Sequence, residues 1–227
     1  MRYKQLYPWN VSVKEAAEIQ RSLRDQVSLV DGFDPDRVHF VGGVDVSVPR
    51  FGKTGRAAFV VLSFPELEVI EIQRAERDLE LPYIPGFLSF REIPIVLAAV
   101  DKVRHEPDVI VVDGQGIAHP RRMGIAAHLG LVLDVPTIGC GKSHLYGLYE
   151  DPGPTRGSVS PLLAPDGDQI GAVVRTKDNT KPVFISPGNK VSIPTSVRMI
   201  LECASKYRLP EPIRAAHNAA GGNGQMV

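Results

Sequence analysis

Apolar and polar positions along the chain change period several times. Ser12 and Glu15 form a capping box ahead of an amphipathic run that reads as a helix to about Val30. FVGGVDVSV (40–48) then alternates. Val44, Val46 and Val48 share one face, and Gly43, Asp45 and Ser47 share the other, the signature of a strand. RFGKTGR (50–56) reads as a hairpin turn. AAFVVLSF (57–64) and EVIEIQRAE (68–76) are two more strands joined by a link too short for anything but antiparallel neighbours. A helix is expected over about Glu92–Arg104, with Pro94 tolerated in its first turn.

DVIVVDG (108–114) is an unbroken β-branched run, as in a strand covered on both faces. A helical stretch, about Gly124–Leu133, separates it from a second buried strand, VPTIGCG (135–141). Strand, helix and strand in this order call for a right-handed parallel crossover. GAVVRTK (171–177) and PVFIS (182–186) form a later strand pair. Ser192 caps a helix to about Tyr207, and a short helix after Pro212 carries His217. Three antiparallel strands followed by parallel ones, with helices on both faces of a mixed α/β sheet, is the layout of the ribonuclease H-like fold. A single domain over 1–227 is expected, with a tail fraying from 218.

Composition narrows the class. Two cysteines, Cys140 and Cys203, make no disulfide framework and suit a reducing compartment. MRYKQLYPWN has no apolar core after its basic residues, and no apolar run approaches the ~20 residues of a membrane span. A cytoplasmic protein without membrane contact is expected. Lys plus Arg and Asp plus Glu both number 26, which on balance alone argues against a nucleic-acid partner. The distribution is uneven, however. Beyond residue 180 stand six basic residues, Lys181, Lys190, Arg198, Lys206, Arg208 and Arg214, against Glu202 and Glu211.

The candidate chemistry is acidic. Asp45 sits mid-strand, where aspartate is disfavoured. Asp113 ends a valine strand and precedes Gly114, at the strand edge where open α/β sheets bind ligands. Taken singly, Asp45 reads as a bulge residue, Asp113 as a turn residue and Glu92 as a helix-start acid. Together they suit a hard divalent cation, since Mg²⁺ is held by one or two carboxylates plus waters and substrate phosphate. Lys142 follows the last parallel strand on the same edge, either as an ordinary solvated lysine or as a point charge for a phosphate. DGQGIAHPRRMG (113–124) offers backbone access at Gly114 and Gly116, and donors to phosphate or base at His119, Arg121 and Arg122. His217 alone reads as a surface or core histidine. No nucleotide cofactor is indicated: GKS (141–143) lacks the P-loop glycine at Pro136, and GQG (114–116) lacks a third glycine at His119.

LPYIPGFLSFRE (81–92) mounts Tyr83 between two prolines that stiffen the chain. This stretch, with VGGVDVSV (41–48), DVIVVDGQGIAHPRRMGIAAHLG (108–130), PTIGCGKSHLYG (136–147), ISPGN (185–189) and PEPIRAAH (210–217), resembles the endonuclease V family over about Tyr3–His217. The resemblance implies a metal-dependent DNA repair endonuclease that recognises deoxyinosine and other deaminated bases. It would hydrolyse the second phosphodiester 3′ to the lesion, leaving 3′-hydroxyl and 5′-phosphate. Asp45 and Asp113 match the metal-ligating aspartates and Glu92 the third acid, direct or through water. Lys142 matches the active-site lysine and His217 the catalytic-site histidine. Pro82, Tyr83, Ile84 and Pro85 match the wedge. Gly86, Leu88, Gly114, His119 and Ile125 match the lesion pocket. Mg²⁺ is the implied cofactor, with Mn²⁺ able to substitute, and a monomer is expected. The alternatives are an inosine-specific endoribonuclease acting on RNA and a non-catalytic lesion-binding module. The chain departs from the family pattern at Cys140 and Gly141, where small apolar residues are usual, and at His144, where arginine is common.

Overall fold

A computed structural model describes residues 1–48 and 53–221. Residues 50–52 of the expected hairpin turn, and 222–227 of the expected tail, lie outside the described residues. β1 (Phe40–Ser47), β2 (Thr54–Ser63) and β3 (Val69–Asp78) form the antiparallel meander that their alternation predicts. β4 (Val109–Val112) and β5 (Thr137–Gly141) then add in parallel to β1. β6 (Val159–Leu163), β7 (Gln169–Val174) and β8 (Val183–Asn189) complete one eight-stranded sheet in the order β3-β2-β1-β4-β5-β8-β7-β6. β6 is not legible in the sequence, because Pro161 interrupts it. Its place at the sheet edge is what allows a proline. Ser160 and Leu162, both buried, are the faint alternation that marks it.

Helices cover both faces. α2 (Leu88–Val100) and α3 (Ile125–Leu133) bury Phe59, Val61, Ile110 and Val112 on one side. α4 (Ile193–Cys203) and α5 (Glu211–Ala219) meet Val41, Val109, Val111 and Ile138 on the other. Full burial of the β4 valines on both faces is the reason they form an unbroken apolar run. Cys140 and Cys203 are free and buried.

Several boundaries differ from the sequence reading; α4, expected to run to about Tyr207, ends at Cys203. α1 (Val13–Leu23) has the predicted capping box, but it ends before Val30 after a short 3₁₀ turn. There the Ser28 amide donates to Asn189 Oδ1 at 3.1 Å, a tertiary bond that draws the chain out of the helix. α2 begins at Leu88, four residues before the expected start, so Glu92 lies in its second turn. Pro94 is inside the helix, where it cannot donate to the Phe90 carbonyl. Burial of Phe90, Ile93, Ile95, Val96 and Val100 offsets that missing bond. Finally, the helix that carries His217 extends past 218. α5 runs to Ala219, Ala219 and Ala220 are buried, and the Ala219 carbonyl accepts from Arg74 Nε at 2.7 Å.

Tyr7, Trp9, Phe90 and His128 pack as one aromatic group beneath α2. His128 is fully buried, with Nδ1 2.8 Å from Ser89 Oγ, and burial pushes its pKa down to about 3. Unfolded, the ring takes a proton below about 6.5; folded, it resists. The unfolded chain therefore binds more protons, and this contribution to stability is lost as pH falls from 6.5 towards 3. Unfolding free energy is expected to drop by about 2 kcal/mol from this residue between pH 7 and pH 5. Urea midpoints at the two pH values check it: His128→Asn should flatten the fall, and an equally steep fall in the variant would rule His128 out.

Candidate active site

The register of β1 on β4 pairs Val44 with Val112, and the Asp113 amide donates to the Val44 carbonyl at 3.2 Å. One step further along, Asp45 and Asp113 lie side by side at the carboxyl ends of two parallel strands. Both side chains share the sheet face of Val41 and Val111, close enough for the Asp45 charge to raise the Asp113 pKa. Each has a second partner from a distant part of the chain. Lys142, just past β5, places Nζ 2.5 Å from Asp113 Oδ2. His217, on α5, places Nδ1 2.9 Å from Asp45 Oδ2. Gly43 makes the second pairing possible: any Cβ there would overlap the Pro212 carbonyl, so glycine lets the start of α5 lie directly on β1.

Glu92 reaches the same strand ends from α2. Burial, then repulsion from Asp45 and Asp113, raises its pKa to about 8, against the pull of Arg91. Asp113 is raised to about 6 by burial and by Asp45, although Lys142 opposes this. The Glu92 carboxyl thus feels the charge of both aspartates, while Lys142 and His217 are the aspartates' side-chain partners. The two aspartates together fit a hard divalent cation. Among the described residues no three of His, Cys, Asp or Glu converge on one point. The site therefore offers an aspartate pair that could hold a cation, with Glu92 near enough for both aspartates to act on its charge.

Beside Asp113 and Lys142 opens a cavity of about 320 Å³. Gly86, Leu88, Gly114, His119 and Ile125, all expected in a pocket, line it, with Tyr83 at its edge. Gly86 has φ +81°, and its carbonyl accepts from Arg121 Nη2 at 2.7 Å, Gln20 Nε2 at 3.1 Å and His119 Nε2 at 3.2 Å. His119 Nδ1 accepts from the Arg121 amide, so the ring is neutral, and burial lowers its pKa to about 4. Pro82, Tyr83 and Pro85 are exposed and Ile84 is half-buried. Tyr83 is 64 % exposed, a ring offered outward on a stiff loop.

Two sequence expectations need correction here. Arg121 and Arg122 are not free donors: Arg121 is spent on Gln20 and Gly86 and stacks on Phe87, while Arg122 pairs with Asp166 at 3.0 Å. Other lining residues carry little signal in the sequence. Gln20 is buried on an otherwise ordinary amphipathic helix, and Gln115 donates to the Ser143 carbonyl at 3.2 Å while its Oε1 has no partner. The glycine at 141 is such a signal, since a Cβ there would collide with the Gln115 amide. His144, where arginine is common, donates to the Gly147 carbonyl at 2.9 Å and packs between Tyr149 and Phe184.

The family model described as Endonuclease V matches residues 21–218. The chain belongs to the endonuclease V family. It is 51 % identical to the endonuclease V of Trichormus variabilis over 220 residues, 97 % of this chain and 99 % of the relative. Among solved structures it resembles endonuclease V from Streptomyces avermitilis, with TM-score 0.88, 41 % identity, and 96 % and 95 % of the two chains covered. It also resembles Ciona intestinalis endonuclease V in complex with a 24mer DNA containing an inosine followed by a ribo-adenosine. That match has TM-score 0.82 and 29 % identity, and it covers 92 % and 95 % of the two chains. As an endonuclease V the chain is a nuclease, and the non-catalytic reading is withdrawn. Among the described residues no helix is long and apolar enough to cross a membrane.

Proposed function

We propose that this endonuclease V recognises deoxyinosine in DNA and, with Mg²⁺ or Mn²⁺, hydrolyses the second phosphodiester on the 3′ side. One juxtaposition carries the reading: the Asp45–Asp113 pair stands directly beside a cavity at the small end of ligand-pocket sizes, edged by an exposed tyrosine. The Ciona relative, solved on inosine-containing DNA, supports it.

A base must leave the stack to be inspected, at a cost of roughly a few kcal/mol. Tyr83, held between Pro82 and Pro85, fills the vacated space while the base enters the cavity against Gly86, Leu88, Gly114, His119 and Ile125. Asp45 and Asp113 would hold the cation. When bound, it supplies Lewis-acid chemistry, offsetting phosphate charge and making water a better nucleophile. Lys142 donates to the phosphate oxygen on which charge grows. Water attacks phosphorus, the P–O3′ bond breaks, and a proton passes to O3′, leaving 3′-hydroxyl and 5′-phosphate. His217 is oriented by Asp45 through Nδ1, so proton exchange falls to Nε2. Glu92 or His217 orients the water.

End-labelled duplexes with one deoxyinosine, one riboinosine or no lesion, each with Mg²⁺ or with chelator, test the reading. Cutting is expected only with metal, at one mapped bond on the deoxyinosine strand. Equal cutting of undamaged duplex would remove the lesion claim. Faster cutting beside riboinosine would reassign the substrate to RNA.

A further inference from the structure

The basic excess beyond residue 180 has a location. Lys190 pairs with Asp134 at 2.8 Å, and Arg198 pairs with Asp36 at 2.7 Å and Glu202 at 2.9 Å. Lys181, Arg208 and Arg214 instead join Lys177 around a second cavity of about 480 Å³. Thr180, Tyr207 and Leu209 complete its lining, which contains no carboxylate. Glu211 reaches Arg214 at 3.5 Å from one side. Four cations gathered on one concavity repel one another, and Lys177 and Lys181 have no acid partner among the described residues.

The cavity is joined to the catalytic cluster by its own wall. Arg208 is pinned by three carbonyls: Nε donates to Lys181 at 2.7 Å, and Nη2 donates to Pro182 at 2.9 Å and to Lys142 at 2.6 Å. The side chain of that same Lys142 rests on Asp113. Arg214 lies one helical turn before His217 on α5, with its guanidinium 3.4 Å from the centre of the Tyr207 ring. One residue's main chain therefore separates the cation cluster from the place where a phosphate would be cut.

We propose that the cavity between the β7–β8 turn and the start of α5 seats a backbone phosphate adjoining the nicked bond. Lys177 and Lys181 hold it as point charges, and Arg208 and Arg214 form the fixed floor. The proposal rests on the reading that the substrate is a DNA strand. It assigns this cavity to strand positioning, with no part in reading the base.

The test uses Lys177→Gln/Lys181→Gln, since both lysines are exposed and neither supports Lys142. Binding of the inosine duplex is followed by anisotropy across a salt series in chelator, and nicking of the same duplex is followed in Mg²⁺. Losing the contact to this one phosphate should lower the slope of log affinity against log salt by about one in the double variant. Affinity should fall alike for inosine and undamaged duplexes, because phosphates carry no sequence. Single-turnover nicking at saturating enzyme should stay within about twofold of the parent, as for a group that binds ground state and transition state equally. A neutral methylphosphonate walked along the nicked strand should weaken the parent at one position and leave the double variant unaffected there. Lys14→Gln, on exposed α1, should keep the parental slope. A double variant with parental slope and affinity, or an equal drop in the Lys14 variant, would overturn the proposal. If the parent itself fails to nick beside inosine, the lesion reading falls, while the salt slopes still judge the cavity.

Discussion

Asp113→Asn is expected to lower the nicking rate by about a thousandfold or more, the scale on which groups acting on the reacting atoms fail. The amide keeps the shape of the carboxyl but not its charge. At this position charge is what would draw the proposed cation and what orients the Lys142 ammonium. The same variant makes an opposite prediction for the fold. Burial and Asp45 raise the Asp113 pKa to about 6, well above its unfolded value. Such a group costs the metal-free protein stability above pH 6, and that stability returns as pH falls below 6. At pH 8 the thermal midpoint of the metal-free variant should therefore be unchanged or raised, while its activity is gone. Single-turnover nicking and a pair of melts check both halves. A variant cutting within about tenfold of the parent would place the chemistry elsewhere.

Tyr83→Ala should slow nicking of an inosine duplex by about 10- to 100-fold at subsaturating enzyme, the kinetic equivalent of roughly 1–3 kcal/mol of base–aromatic stacking. The effect should depend on the strand. A single strand carrying inosine has no partner to unpair, so the loss there should be several times smaller. Fold stability should hold, because the ring is mostly exposed and the flanking prolines keep the loop extended. Comparing the two substrates separates a wedge from a simple pocket lid. Equal losses on duplex and single strand would reduce Tyr83 to the lid role.

Much of the site is readable because its residues break local rules. An aspartate inside a valine strand, an Asp-Gly at the end of another, and a tyrosine between prolines are each poor choices for packing alone. All five residues expected in the pocket do line one cavity. Reading fails where a side chain's fate is set by a distant partner. Arg121 and Arg122 look free in the sequence and are bound in the fold, by Gln20 and Asp166 respectively. α2 starts at Leu88 because Ser89 and Phe90 are buried there against the sheet and the aromatic group, a gain no window of sequence contains.

Alternation, capping and turn chemistry act between neighbours a few positions apart, so strands, most helices and the odd aspartates can be named from the chain in order. Charge pairing acts across the fold. Lys142 finds Asp113, and His217 finds Asp45 from 172 positions away, only once β1 and β4 are in register and Gly43 has let α5 down onto the sheet. The same packing sorts the C-terminal cations into those with acid partners and those left facing a cavity. Periodicity is a short-range property and electrostatic partnership a long-range one, which is why the elements came from the first and the working site from the second.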